Sequence, residues 1–188
     1  MWGSSNKSKQ NYSKKLNLSK EIYEEMEKWV EDKFDEETFQ FPQLFTTVHL
    51  AREFAKKFLN HLNDISIIGI GLPENLVQAF LDEAETLAKS SKGQYGIKKL
   101  LLNRTTTEME AADIKGYEVL GFEFGKFHSY ICNSLEKDYK NEFQFSLNEN
   151  GFIPSLDMAL RCCDYSNHEE VGTEPVLWLP WSIYEYKL

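Results

Sequence analysis

The C-terminal stretch EPVLWLPWSIYEYKL (174–188) has the clearest strand pattern in the chain. One face carries alternating apolar side chains, at Leu177, Leu179, Trp181 and Ile183. The other face is apolar at Val176 and Trp178, and a strand with two apolar faces belongs inside a fold. Pro180 has no backbone N–H, so we expect a bulge, a bend or a sheet edge there. The stretch predicts a buried strand that emerges towards solvent after Pro180.

Upstream of this strand, helical patterns come first and strand patterns are interleaved later. Helical spacing is found at 20–34, at 44–62, from Pro73 onward, at 128–139 and after Ser155. Strand patterns are found at 65–71, 97–102 and 117–124, alternation continues at 143–147, and a turn signal stands at 148–151. Within 117–124, Gly121 indicates a bulge or a close neighbour. The order predicts an α+β fold with N-terminal helices packed on a mainly antiparallel sheet.

The domain organisation follows from length and local composition. Residues 1–17 are rich in Ser, Asn and Lys and lack periodicity, so we expect a flexible basic tail. We expect residues 18–188 to form a single α+β domain, since 188 residues suffice for one core.

Charge is distributed unevenly along the chain, which has a net charge of −9. This balance disfavours direct nucleic-acid binding, because phosphates would be repelled. Residues 21–37 are strongly acidic, and the acids that we single out as candidate partner contacts are Glu31, Asp32, Asp35, Glu36 and Glu37. Such a run is either a solvated helix face or a surface aimed at a basic partner. Trp181 and Tyr184 are further candidate contacts.

The cysteines and the hydropathy bear on the cellular compartment. Cys132, Cys162 and Cys163 are odd in number and two are adjacent, which is a poor disulfide framework and favours a reducing compartment. The longest apolar run, at 65–72, is too short to span a membrane, and the N-terminal residues lack the apolar region of a secretory signal. We therefore expect a cytoplasmic protein without a membrane segment.

Motifs for catalysis, metals and cofactors are weak in this sequence. GIGLPEN (69–75) lies between a strand and a helix, but Glu74 stands where a dinucleotide fingerprint needs its third glycine. His128 and Cys132 are four apart on the predicted helix 128–139, and Cys162, Cys163 and His168 form a second loose group without zinc-ligand spacing. We expect no enzyme activity, no metal and no cofactor. The alternative is a small enzyme or ligand-binding domain with a site near His128 and Cys132.

Three motifs in the second half carry a family resemblance. They are KGYEVLGFEFGKFHSYICNSLEKDY, LNENGFIPSLDMAL and EPVLWLPWSIYEY, which together fall within about 97–186. In this order they resemble immunity proteins of bacterial polymorphic toxin systems, small cytoplasmic proteins encoded beside a toxin. The N-terminal helices are not part of the resemblance.

The resemblance implies a binding activity. Such a protein occludes or distorts a cognate toxin and has neither catalytic residues nor a cofactor. A basic nuclease is one candidate toxin, because an acidic protein is complementary to its cleft and complementary charge speeds association.

Overall fold

The computed structural model describes residues 18–33, 39–40, 44–45, 47–63, 65–88, 113–123, 126–171 and 173–188. The predictions for the tail 1–17 and for a strand at 97–102 lie outside these ranges. The chain divides into two compact units: an N-terminal unit, Met1–Ile65, and a C-terminal unit, Ser66–Leu188.

The described residues of the N-terminal unit form two helices and a short β-ribbon. Its elements are α1 (Lys20–Lys33), β1 (Phe39–Gln40), β2 (Leu44–Phe45) and α2 (Val48–Phe58), and β1 pairs antiparallel to β2. The helix predicted from residue 44 begins only at Val48. Leu44 and Phe45 pair with β1 as strand β2, and Thr47 caps the helix. The Thr47 side chain accepts a hydrogen bond from Leu50 N at 3.2 Å.

An aromatic cluster forms the core of this unit. Its buried members are Tyr23, Met26, Trp29, Leu50 and Phe58. Ile22 of α1 is 40% exposed, whereas its neighbour Tyr23 is buried. The Trp29 ring lies within 6.5 Å, centroid to centroid, of the rings of Phe45, Phe54 and Phe58.

The C-terminal unit is built on a four-stranded antiparallel sheet. Its strands are β3 (Ile67–Gly71), β4 (Asp113–Glu123), β5 (Lys126–Ser129) and β6 (Trp178–Tyr186), in the order β3-β6-β4-β5. Its helices are α3 (Val77–Ala88), α4 (Glu136–Phe143) and α5 (Leu156–Ser166), with short 3₁₀ turns at Glu74–Leu76 and Glu169–Val171. Helices and an antiparallel sheet together confirm the α+β class. None of the helices described here is both long and apolar enough to span a membrane.

The C-terminal strand, β6, occupies an inner position in the sheet. Residues 178–183 are buried and residues 184–186 are partly exposed, as the pattern predicted. Pairing between β3 and β6 stops at Gly71 opposite Ser182. Pro180 therefore lies in the part of β6 that extends past β3, and it pairs only with Val119 of β4. Because β3 does not reach this position, the missing N–H of Pro180 costs no hydrogen bond between β6 and β3.

The two faces of β6 support two different clusters. On one face Trp178 joins Val119, Tyr130, Tyr139 and Ile153 in the main core. On the other face Trp181 makes T-shaped contacts with Phe80 of α3 and Phe127 of β5, at centroid distances of 5.6 and 5.1 Å. Both apolar faces of the C-terminal strand are thus used for packing.

A kink in β4 joins the sheet to the segment before α5. The β4–β6 register shifts between Ile114 and Gly116. Gly116 has φ +142°, and an added Cβ would meet Phe152 Cβ and Ile153 O, so only glycine fits there. The predicted turn at 148–151 is confirmed: Asn148 donates to Lys115 O at 2.7 Å and accepts from Phe152 N at 3.0 Å.

Two predictions in this unit are wrong. Residues 126–129 pair with β4 as β5, residues 130–135 form turns, and helical structure begins only at Glu136. The helix predicted over 128–139 is therefore limited to its last part, because hairpin pairing with β4 outweighs local spacing. Residues 143–147 form no strand. Phe143 ends α4 and Gln144 adopts a left-handed conformation, although Phe145 is buried as its alternation suggested.

Candidate functional site

The predicted acidic contacts lie on α1 and beyond it. Glu31 and Asp32 are exposed in the last turn of α1. They form no ion pair with another residue in the ranges described, unlike Glu24, which pairs with Lys20 at 3.5 Å, and Glu25, which pairs with Lys57 at 2.9 Å. Asp35, Glu36 and Glu37 lie outside the described residues.

The position of Glu31 and Asp32 is unfavourable for the helix itself. The C-terminal end of a helix carries partial negative charge, so carboxylates in the last turn reduce helix stability. Acidic side chains are better placed in the first turn, where α1 carries Glu21. Local folding therefore does not account for these two acids.

The two aromatic candidates differ in accessibility. Trp181 is only 2% exposed, and its ring is part of the packing between β6, α3 and β5. It does not belong to the surface of the isolated chain. Tyr184 is partly exposed, and its ring lies across Gly71 of β3, where an added Cβ would come within 3.0 Å of the ring. Tyr184 can contact a partner, whereas Trp181 supports the sheet from within.

The alternative site near His128 and Cys132 lacks the geometry that the sequence indicated. His128 lies on β5 and Cys132 in the following turn, so the prediction that both face one side of a helix is wrong. His128 Nδ1 lies 3.6 Å from Oε1 of Glu174. Cys132 is exposed. Within the described part of the chain, no group of three or more His, Cys, Asp and Glu side chains is arranged to hold a metal ion.

The adjacent cysteines of α5 are core residues. Cys162 and Cys163 are buried in the main cluster. Burial raises the pKa of the Cys162 thiol to about 12, and it also raises the pKa of the Cys163 thiol. Both side chains are therefore protonated at neutral pH and are poor nucleophiles and poor metal ligands.

One polar cluster was missed by the sequence analysis. Glu118 of β4 is partly buried, and its Oε1 accepts a hydrogen bond from Ser129 Oγ at 2.7 Å. Burial raises the pKa of this carboxyl group, and the Ser129 hydrogen bond opposes that rise. Ser129 Oγ also accepts a hydrogen bond from Ile131 N at 3.2 Å. The available signal was the presence of two glutamates, Glu118 and Glu123, in the strand pattern of 117–124.

Apolar exposure is high beside this cluster. Ile131 is 56% exposed, the highest value among the large exposed hydrophobic side chains of the described residues. Glu118, Ser129 and Ile131 thus bring together a carboxylate, a hydroxyl and an exposed aliphatic side chain, and we call them the β4–β5 cluster. Polar groups next to an exposed apolar side chain are a combination that is found at contact surfaces.

Comparison with protein-family models, with characterised proteins and with solved structures gives no match.

Proposed function

We propose that this chain is an immunity protein that binds a cognate bacterial toxin in the cytoplasm and neutralises it by occlusion. The motifs within 97–186 resemble those of immunity proteins, and the charge distribution is consistent with a basic partner. A nuclease domain is one such partner. The proposed activity is binding, so it requires no catalytic residue and no cofactor.

The observation that carries the proposal is the pair of exposed acids at the end of α1, which form no ion pair with a described residue. Glu31 and Asp32 are exposed and unpaired among the described residues, in the turn where they disfavour the helix. A partner with basic residues would remove that electrostatic cost on binding. Asp35, Glu36 and Glu37 extend the same acidic run along the sequence. Tyr184 is a separate candidate contact on the C-terminal unit.

Association kinetics test this surface. The Glu31→Gln, Asp32→Asn double variant should bind the toxin encoded by the neighbouring gene with a smaller k_on, and the salt dependence of k_on should flatten. Charges near an interface rim act mainly on diffusional encounter, while k_off depends on buried contacts. The stability of the double variant should be unchanged or slightly higher, because the helix end loses two unfavourable charges.

A charge-matched control separates local from global effects. Glu142→Gln with Glu149→Gln removes the same charge from exposed positions of the C-terminal unit. Equal slowing in both double variants would assign the effect to net charge and exclude α1 from the interface. Failure of the wild-type protein to bind the product of the neighbouring gene would refute the immunity function itself.

A further inference from the structure

The carboxylate of Glu118 forms no ion pair with a cationic side chain among the described residues. It is partly withdrawn from water, and its only side-chain hydrogen bond within the described residues comes from Ser129. The next carboxylate along the sheet is satisfied differently: Glu185 pairs with Lys115 at 2.8 Å and also accepts from Ser66. Partly buried charges in proteins are usually paired, because desolvation without compensation is costly.

The surroundings of Glu118 include an accessible apolar surface. The Ser129 hydroxyl joins the Glu118 carboxylate to the backbone of Ile131, and the Ile131 side chain projects into solvent. The exposed Cys132 follows it. A carboxylate without an ion pair among the described residues, linked through Ser129 to an exposed aliphatic residue, matches a side chain that has an apolar stem and a cationic head.

We propose that the β4–β5 cluster is a docking site for an arginine side chain of the partner protein. The guanidinium group would bind the Glu118 carboxylate, and the aliphatic stem would cover Ile131. In its biological role this inference rests on the proposed toxin binding, and it places a specific contact in the C-terminal unit in addition to the acids of α1.

Arginine fits this site better than lysine for two reasons. Its planar group can donate two parallel hydrogen bonds to a carboxylate, and Ser129 engages only one of the two Glu118 oxygens. A guanidinium ion is also less strongly hydrated than an ammonium ion, which favours pairing at a partly buried position. The Ser129 hydrogen bond fixes the carboxylate orientation before the ligand arrives.

A small-molecule titration tests the site without the toxin. The ¹⁵N-labelled full chain is titrated with N-acetyl-arginine amide, and the Ile131 amide resonance is followed because its N–H bonds to Ser129. We expect a saturable shift of this resonance in the wild-type protein. Affinity should be roughly tenfold weaker in Glu118→Gln, since a charge-assisted pair is replaced by a neutral contact. N-acetyl-citrulline amide, which has the same shape without the charge, should give little shift.

The controls make the outcomes unambiguous. Glu142→Gln, which removes an exposed acid of α4, should leave the titration unchanged. An absent shift in the wild-type protein overturns the inference, as does an equal shift in Glu118→Gln or with the citrulline compound. A second arm measures k_off of the neighbouring toxin from wild-type protein and from Glu118→Gln. Toxin that binds both with equal k_off overturns the contact but keeps the proposed function. Toxin that binds neither refutes the function, while the arginine titration still decides whether the site exists.

Discussion

At the scale of single residues, Trp178 combines full burial with hydrogen bonds to each of its polar groups. It is fully buried, its backbone N–H donates to Asn167 Oδ1 at 2.9 Å, and its carbonyl accepts from Asn167 Nδ2 at 3.0 Å. Its indole N–H donates to Thr173 Oγ1 at 3.2 Å. The ring therefore packs in the core while all its polar groups are satisfied, which is the condition for burying a tryptophan.

Replacement of Trp178 by Ala should lower the free energy of unfolding by about 3–5 kcal/mol, because a large cavity opens in the core. Total stability of a domain is about 5–15 kcal/mol, so the loss endangers folding. Chemical denaturation of the variant measures it. Ile131→Ala is the control, and at an exposed position it should change stability by no more than about 0.5 kcal/mol. An unchanged denaturation midpoint in Trp178→Ala would show that the ring is dispensable for packing.

Glu118 provides a residue-scale prediction about pH. Burial raises the pKa of its carboxyl group in the folded state, so protonation of Glu118 favours the folded over the unfolded protein. This stabilisation is fully present at low pH. It is lost as the pH rises through the folded-state pKa. Glu118→Gln removes this dependence, so the variant should be at least as stable as the wild-type protein at about pH 7.5. The advantage should shrink as the medium is acidified.

Denaturation at several pH values checks this expectation. Ser129→Ala is the second variant to measure. Removing the hydrogen bond should raise the pKa of Glu118 further, so the stability of this variant should fall more with rising pH than that of the wild-type protein. A Glu118→Gln variant that is less stable than wild type at neutral pH, and equally so in acid, would contradict the assignment.

At the scale of secondary-structure elements, strand β4 and the segment before β6 meet at a glycine. Gly121 pairs with Trp178 in the β4–β6 register, and an added Cβ would overlap Cγ2 of Val176. The sequence prediction of a close neighbour at Gly121 is confirmed. The absence of a side chain is thus what allows residues 174–176 to lie across β4.

Gly121→Ala should therefore lower stability by about 1–3 kcal/mol through overpacking. The double variant with Val176→Ala lacks the overlapping methyl groups. Its loss of stability should therefore be smaller than the sum of the two single losses. Urea denaturation of the four proteins in this double-mutant cycle gives the coupling. Additive losses would show that Val176 is not the obstructing neighbour.

A helix or strand could be predicted from the sequence where its own residues carry the pattern, and not where it depends on pairing with a distant segment. Strand β6 was predictable because Val176, Trp178 and Leu179 make both of its faces apolar, and α5 was predictable because Ser155 caps it and accepts from Met158 N at 3.2 Å. Strand β5 was not predictable. Its four residues are held by pairing with β4. Ile131 and Leu135, which follow it, have the spacing of a helix, and this spacing favoured the wrong prediction of a helix from residue 128. Leu135 is indeed buried, whereas Ile131 is exposed.

The site was less predictable than the fold for the same reason. The acids of α1 are visible in composition, but which of them are already paired depends on contacts such as Lys57 with Glu25, which are distant in sequence. The β4–β5 cluster needs the hairpin that brings Ser129 next to Glu118. Trp181 was proposed as a contact because alternation alone does not distinguish a core face from a binding face.

At the scale of the whole molecule, charge is the property that most limits the choice of partner. The net charge of −9 is concentrated in part in residues 21–37, which follow a lysine-bearing N-terminal stretch. Such an asymmetry accelerates association with a basic protein and slows association with nucleic acid. The proposed role therefore places the acidic protein on a basic toxin, where bound protein would exclude an anionic substrate.

Titration of toxin activity is the most direct test of this role. The toxin encoded by the neighbouring gene is assayed for its own activity while the purified chain is added in increasing amounts. The account predicts complete inhibition with an end-point at a fixed stoichiometric ratio, as expected for tight binding. It also predicts a slower onset of inhibition for the Glu31→Gln, Asp32→Asn variant. Toxin activity that persists in the presence of excess wild-type protein would contradict the account.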